Sequence, residues 1–254
     1  MKSLIPLLMF ILVTSIASAQ KIELKLNAGV NLTQVPDFKN RIYIADGFVI
    51  PNYINIDNAR SLTMTETTSK TRPGGGFNVE AELGKKINGK WSVSFSLGMM
   101  QMSYTYDTYI AQSFYKNDFY IGNGNIRFTY LTLRPFNVSL AYNRFSIQGG
   151  AIISYLTGKK DNNAMIIYNF NTNPFQPVGG FFEQKGDAQK MLFGAHINSR
   201  FAVSKKVEIM LGSQYFFNSL YKKENTYKPL HDKSKALQFQ VGVSYRVLSA
   251  GYRK

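Results

Sequence analysis

The chain has 254 residues, with 30 lysines and arginines against 15 aspartates and glutamates, and it contains no cysteine. The lack of cysteine excludes disulfides, cysteine-based metal sites and lipidation of an N-terminal cysteine. The net charge of +15 is not gathered into a dense basic run, so we expect no nucleic-acid partner. We interpret the basic residues as a solvated rim, with contact to anionic lipid phosphates as the alternative.

The first residues have the pattern of an export signal. Lys2 gives a positive start, residues 4–16 form an apolar run too short to span a bilayer, and Ala17-Ser18-Ala19 is a small-residue cleavage site. We therefore expect residues 1–19 to be a signal peptide. Residues 20–254 are then expected to form one outer-membrane β-barrel domain.

The clearest element is a predicted β-hairpin at residues 77–97. Apolar and polar side chains alternate strictly on both sides of Asn88-Gly89. An Asn-Gly pair tolerates the positive φ angles of a type I′ turn, and this combination is typical of a hairpin. The apolar set is Phe77, Val79, Ala81 and Leu83, followed by Trp91, Val93, Phe95 and Leu97.

The same alternation predicts eight strands along the chain. They lie at about 22–31, 77–84, 91–98, 125–142, 145–155, 191–201, 207–217 and 237–247. Long polar connections at about 33–75, 105–124, 158–187 and 221–234 alternate with tight turns at 88–89, 143–144 and 204–206. Within the first connection, residues 41–50 and 62–68 have some β character, which predicts an extension of the barrel strands beyond the membrane. In an up-and-down barrel, all the long connections then emerge at one end. This predicts an all-β, eight-stranded antiparallel up-and-down transmembrane β-barrel with extracellular loops and periplasmic termini.

Charged residues indicate which face of the barrel meets water. They fall opposite the apolar stripe, and a Lys or Arg facing lipid at mid-depth costs about 2 to 4 kcal/mol. Glycines share their parity, which suits a narrow interior. A soluble barrel with an apolar interior is the alternative. We expect a polar lumen network of Lys25, Glu80, Glu82, His196, Arg200, Glu208, Gln240 and Arg246.

Aromatic residues near the strand ends are expected to form two girdles at the lipid interfaces. Tyr104 and Tyr130 are placed in the girdle at the long-loop end. The interface aromatics proposed for both girdles include Trp91, Tyr142, Tyr155, Phe201, Tyr215 and Tyr245.

The fourth predicted strand breaks the pattern. Ile126, Phe128 and Tyr130 share the lipid-facing parity, but so does Arg134, while Arg127 takes the inward parity. Because an arginine in lipid is costly, we predict a bulge between Leu131 and Phe136 that turns Arg134 inward.

Two short segments carry a family resemblance. Residues 130–135, Tyr-Leu-Thr-Leu-Arg-Pro, and residues 149–156, Gly-Gly-Ala-Ile-Ile-Ser-Tyr-Leu, resemble the small outer-membrane β-barrel family of Bacteroidota, which includes PorT-like and porin-family members. The resemblance implies an outer-membrane barrel and no single activity.

Few residues suggest catalysis. The two histidines are His196, at an inward position, and His231, followed by Asp232 in the last loop. No nucleophile elbow, zinc-protease motif or phosphate-binding loop appears. We expect a closed, non-enzymatic barrel without cofactor. Its expected partners are outer-membrane lipid, including lipopolysaccharide, and other envelope proteins bound through the loops. The alternatives are a surface hydrolase or lipid-modifying enzyme, and a soluble periplasmic ligand-binding barrel.

Overall fold

A computed structural model describes residues 22–45, 48–50, 62–110, 119–165, 168–169, 176–177, 188–222 and 234–250. The predicted signal peptide at residues 1–19 lies outside the described residues, as do His231 and Asp232. No helix among the described residues is long and apolar enough to cross a membrane.

The described residues form twelve strands. In chain order they are β1 (Ile22–Gln34), β2 (Phe38–Ala45), β3 (Phe48–Ile50), β4 (Leu62–Lys86), β5 (Trp91–Ile110), β6 (Phe119–Tyr142), β7 (Phe145–Met165), β8 (Tyr168–Asn169), β9 (Gln176–Pro177), β10 (Met191–Ala202), β11 (Val207–Phe216) and β12 (Leu237–Ala250).

Eight of these strands close into a ring. The order β1-β12-β11-β10-β7-β6-β5-β4 is completed by pairing of β1 with β4, and every pairing is antiparallel. Each ring strand therefore pairs with the ring strands that precede and follow it in the chain, and the first and last, β1 and β12, pair with each other. The short strands β2, β3, β8 and β9 lie outside the ring. The predicted eight-stranded up-and-down antiparallel barrel is confirmed.

Three short turns join strands at one end, here called the turn end; the opposite end is the loop end. Asn143 has a φ of 53°, as expected for a two-residue turn between β6 and β7. The type I′ turn predicted at Asn88-Gly89 is wrong. Residues 87–90 form a longer turn in which the Asn88 side chain accepts hydrogen bonds from the backbone N–H groups of Lys90 and Trp91, at 2.9 and 2.8 Å. Ser204 caps the β10–β11 turn in the same way.

The predicted loop boundaries are wrong at the loop end of four adjacent strands. β4, β5, β6 and β7 contain 25, 20, 24 and 21 residues, against 10 to 14 for the other four ring strands. Residues 62–75, 105–110, 119–124 and 158–165 are therefore strand rather than loop. The β character of residues 41–50 and 62–68 predicts strands beyond the membrane at this end, and β2, β3 and the start of β4 confirm it. The extensions of β5, β6 and β7 are not part of that prediction.

The glycine-rich run Pro73 to Gly76 ends the long connection predicted at residues 33–75, and this predicted boundary is wrong. The run lies inside β4, where the register with β5 shifts between Gly74 and Asn78 and accommodates one extra residue. A Cβ on Gly76 would lie 2.0 Å from the carbonyl oxygen of Gln101, so glycine is required by close backbone approach.

The predicted bulge in β6 is confirmed. The register with β7 shifts between Leu133 and Asn137, and Arg134 is buried. The bulge also reverses the parity of the whole preceding half of β6, which the sequence analysis did not anticipate. Ile126, Phe128 and Tyr130 point inward, and Arg127 points outward, contrary to expectation.

The interior has two layers, and the exterior is apolar. Towards the turn end the lumen is charged and polar; towards the loop end it is filled by aromatic, aliphatic and methionine side chains. The outer face of the wall exposes large apolar residues between the two ends. They include Leu26, Val30, Val79, Leu97, Leu131, Leu140, Ile147, Phe193, Ile197, Leu211, Val241 and Val243.

Candidate functional site

The central feature of the charged layer is an ion pair between β4 and β6. Nη1 of Arg134 donates to both carboxylate oxygens of Glu80, at 2.6 and 2.7 Å, and both side chains are buried. Asn27 in β1 donates to the same carboxylate at 2.8 Å. A buried charge requires such partners because its lost hydration is not otherwise replaced.

A second pair lies nearer the turn end. Nη2 of Arg200 in β10 donates to Glu82 in β4 at 2.5 Å and to Gln148 in β7 at 2.8 Å. Gln148 in turn donates to the other oxygen of Glu82 at 2.9 Å. β4 is thus joined through the lumen to β7 and β10, neither of which is its neighbour in the ring.

Glu208 in β11 is the centre of a third group. Nζ of Lys25 lies 2.9 Å from both of its oxygens, and Nη2 of Arg246 lies 3.3 Å from one of them. Arg200 approaches the same carboxylate at 3.7 Å, which links this group to the second pair. Arg246 also lies 3.5 Å from Glu23.

His196 lies in the lumen between two amide side chains. Its Nε2 lies 2.7 Å from Oδ1 of Asn137, and its Nδ1 lies 3.3 Å from Nδ2 of Asn198. Gln240 donates to Asn198 at 2.7 Å. The imidazole is buried and both nitrogens have amide partners, so it has no open approach for a substrate.

The structure therefore places all eight proposed network residues in the lumen. It adds several members that the sequence analysis left out of the network, and each could have been found from the inward parity of its strand, once the β6 bulge was counted. These are Glu23, Asn27, Arg134, Asn137, Gln148, Asn198 and Gln214.

The apolar layer closes the lumen towards the loop end. Tyr104 and Phe128 are fully buried, and Tyr130 lies beside Phe128 with ring centroids 6.1 Å apart. The hydroxyl of Tyr104 lies 2.8 Å from that of Tyr221, whose ring meets Phe128 edge to face at 5.9 Å. The expected girdle positions of Tyr104 and Tyr130 are therefore wrong. The even parity of Tyr104, shared with inward Ser94 and Ser96, was the available signal.

Gln214 joins the two layers. Its amide nitrogen lies 2.8 Å from the sulfur of Met100, and its oxygen lies 3.4 Å from Nη2 of Arg134. Below it, towards the turn end, a cavity of about 30 Å³ is lined by Glu23, Lys25 and Glu82 among others. This volume suits one or two water molecules and no organic substrate.

The proposed interface aromatics all lie on the outer surface. Trp91, Tyr142, Tyr155, Phe201, Tyr215 and Tyr245 are between 41% and 70% exposed. Within the described part of the chain, no three His, Asp or Glu side chains are grouped as metal ligands would be.

Comparison with known proteins found no matching family model and no matching curated protein. Solved structures include OmpT, an outer-membrane protease of Escherichia coli, at 12% identity and a TM-score of 0.39, covering 90% of this chain and 97% of that one. Neisserial surface protein A is 12% identical with a TM-score of 0.37, covering 88% and 96%. Ail of Yersinia pestis is 12% identical with a TM-score of 0.32, covering 90% and 99%.

At these TM-scores the likeness carries no argument, and the architecture follows from the strand pairing of this chain. The resemblance to the small barrels of Bacteroidota stays a prediction.

Proposed function

We propose that this chain is a non-enzymatic, integral outer-membrane barrel with a sealed lumen, and that its extended strands bind a partner at the cell surface. The observation that carries the proposal is the inverted arrangement of the barrel, which has ion pairs inside and a continuous apolar surface outside. Water outside such a wall would leave dozens of apolar side chains hydrated, whereas lipid would cover them.

The height of the apolar surface fits a bilayer. On β6 the exposed apolar residues run from Leu131 to Tyr142. With the one extra residue of the bulge discounted, that stretch corresponds to about 33 Å of strand and, at a tilt of about 40°, to about 25 Å along the barrel axis. The apolar band of known outer-membrane barrels has about this height.

The sealed lumen supports a role in binding rather than transport. The aromatic layer occupies the lumen towards the loop end and the three ion-pair groups occupy it towards the turn end, where a cavity of about 30 Å³ remains. A hydrolytic role for His196 finds no support, because the ring is enclosed by Asn137 and Asn198. A soluble ligand carrier would need an apolar cavity, and the described interior holds packed side chains instead.

The extension of β4, β5, β6 and β7 is the best-supported binding surface. These strands continue beyond the ends of β1, β10, β11 and β12, and β2 adds to the β4 edge. In the proposed orientation the turn end faces the periplasm and this extension faces outward.

The membrane location is tested by detergent extraction and a heat-shift gel. We expect the chain to resist salt and carbonate extraction and to migrate as a compact form until it is boiled. Release by salt, with no heat-dependent shift, would contradict the membrane barrel.

The binding role is tested by cross-linking and capture from detergent-solubilised outer membrane. The matched variant replaces residues 111–118, which connect β5 to β6 in the sequence, with a short Gly-Ser linker. We expect a protein captured by the natural chain to be lost from the variant, while the heat shift is retained. Equal capture by both chains would exclude residues 111–118 from the proposed binding surface.

A further inference from the structure

Two cations oppose each other on the outer face of the barrel near the loop end. Arg127 in β6 and Lys160 in β7 are register partners, and both are exposed. Directly opposed side chains on neighbouring antiparallel strands have Cβ atoms about 5 Å apart, and like charges in such a pair repel. The arrangement therefore favours an anion placed between them.

Neither cation has an acidic partner among the described residues. Among the ion pairs of the described residues, none includes Arg127 or Lys160. One of them joins Arg72 in β4 to Asp107 in β5, on the same outer face. The contrast is informative because Arg72 is neutralised within the chain, whereas the two opposed cations are not.

The surface beneath the two cations forms a notch. The next outward register pair towards the apolar surface is Thr129 with Gly158. A Cβ on Gly158 would meet only the Cβ of Thr129, at 3.9 Å, so this part of the surface is open. Below the notch, Leu131 and Tyr155 are opposed and exposed at the edge of the apolar surface.

The depth of the notch suits a lipid headgroup. Leu131 follows Arg127 by four residue steps, which is about 13 Å of strand and about 10 Å along the barrel axis. The polar zone of a bilayer adds about 5 to 8 Å beyond the hydrocarbon on each side, and an arginine side chain reaches back across the remaining distance.

We propose that Arg127 and Lys160 hold the phosphate of an outer-leaflet lipid in the notch over Gly158, with an acyl chain along Leu131 and Tyr155. This inference rests on the proposed membrane location. Arg127 supplies a planar fork for phosphate oxygens and Lys160 a point charge, while Gly158 leaves room for the phosphate to approach the backbone.

The test is native mass spectrometry of the full chain in detergent micelles containing either lipid A with its phosphates or dephosphorylated lipid A. We expect the phosphorylated lipid to bind preferentially. The double variant Arg127→Gln/Lys160→Gln is expected to weaken its binding roughly thirtyfold. Each basic residue near a membrane surface typically contributes about a five- to sixfold factor, and two are removed.

The matched control is Arg72→Gln, which removes a cation from the same face but one that already has Asp107 as partner. We expect it to change lipid binding less than about threefold. Gly158→Val fills the notch and keeps both charges, so it is expected to weaken binding without a change in net charge.

Three results would overturn the inference: equal binding of dephosphorylated lipid, an equal loss in Arg72→Gln, and unchanged binding in Gly158→Val. Competition by millimolar inorganic pyrophosphate that displaces the lipid completely would assign the site to free phosphate instead. The heat shift, recorded on every sample, tests the membrane location separately and shows that each variant is folded.

Discussion

Arg134 and Glu80 meet inside the barrel because β6 contains one extra residue. The register shift between Leu133 and Asn137 places the guanidinium in the lumen, where Nη1 lies 2.6 and 2.7 Å from the two oxygens of Glu80. Without the bulge, the parity of Phe136 and Leu140 would carry Arg134 to the apolar outer surface. A local backbone irregularity thus determines where a charge lies.

Removal of one partner of this pair is expected to destabilise the barrel strongly. Arg134→Met leaves Glu80 buried beside Asn27 without its cation, which typically costs about 3 to 5 kcal/mol of unfolding free energy. The measurement is reversible urea unfolding in lipid vesicles, followed by tryptophan emission.

The double variant Glu80→Leu/Arg134→Met is the internal comparison for the same experiment. Because both charges are removed, we expect it to recover most of the loss. A double variant no more stable than Arg134→Met would show that the pair is not the source of the effect.

An arginine on the outer surface distinguishes lipid from water around the barrel. Val241 is exposed near the middle of β12, so Val241→Arg is expected to cost about 2 to 4 kcal/mol in a bilayer. Leu248→Arg, also exposed but near the strand end, is expected to cost about 0 to 1 kcal/mol. Similar small effects at both positions would contradict a lipid-facing wall.

Trp91 provides a measurement that needs no substitution. It is the chain's single tryptophan, it begins β5 beside the turn end, and it is 44% exposed. We expect lipids brominated near the glycerol backbone to quench its emission more than lipids brominated at mid-chain, because indole rings prefer the interface.

The comparison chain for this measurement carries Trp91→Phe and Leu211→Trp. Leu211 is exposed in the middle of β11, so the order of quenching is expected to reverse. Absence of quenching by any brominated lipid would place Trp91 outside the membrane.

The filled lumen predicts very low conductance. Tyr104, Phe128 and Phe216 close one end and the ion pairs fill the other, so ions have no continuous path through the described interior. The purified chain in a planar bilayer is expected to give no stable steps of porin size, with a general diffusion porin measured as the positive control. Reproducible large steps would refute the sealed lumen.

Much of the barrel wall was predictable from the sequence. The alternation around Trp91, the inward parity of Glu82 and Arg200, and the position of the β6 bulge all follow from a simple cost, since a charge facing lipid is unfavourable. Each of these features follows from the residue pattern within a single strand. It can therefore be deduced without knowing which strands pair.

The tertiary structure decided what depends on several strands at once. Which carboxylate meets which cation was fixed by the register of strands far apart in the chain, such as β4 with β6 and β10. The apolar layer at Phe128 and Tyr130 and the outward turn of Arg127 depend on the parity change at the bulge. The full length of β5, β6 and β7 depends on backbone pairing beyond the apolar surface, where the outer face need not be apolar, so the pattern that marks the barrel wall does not define these strand ends.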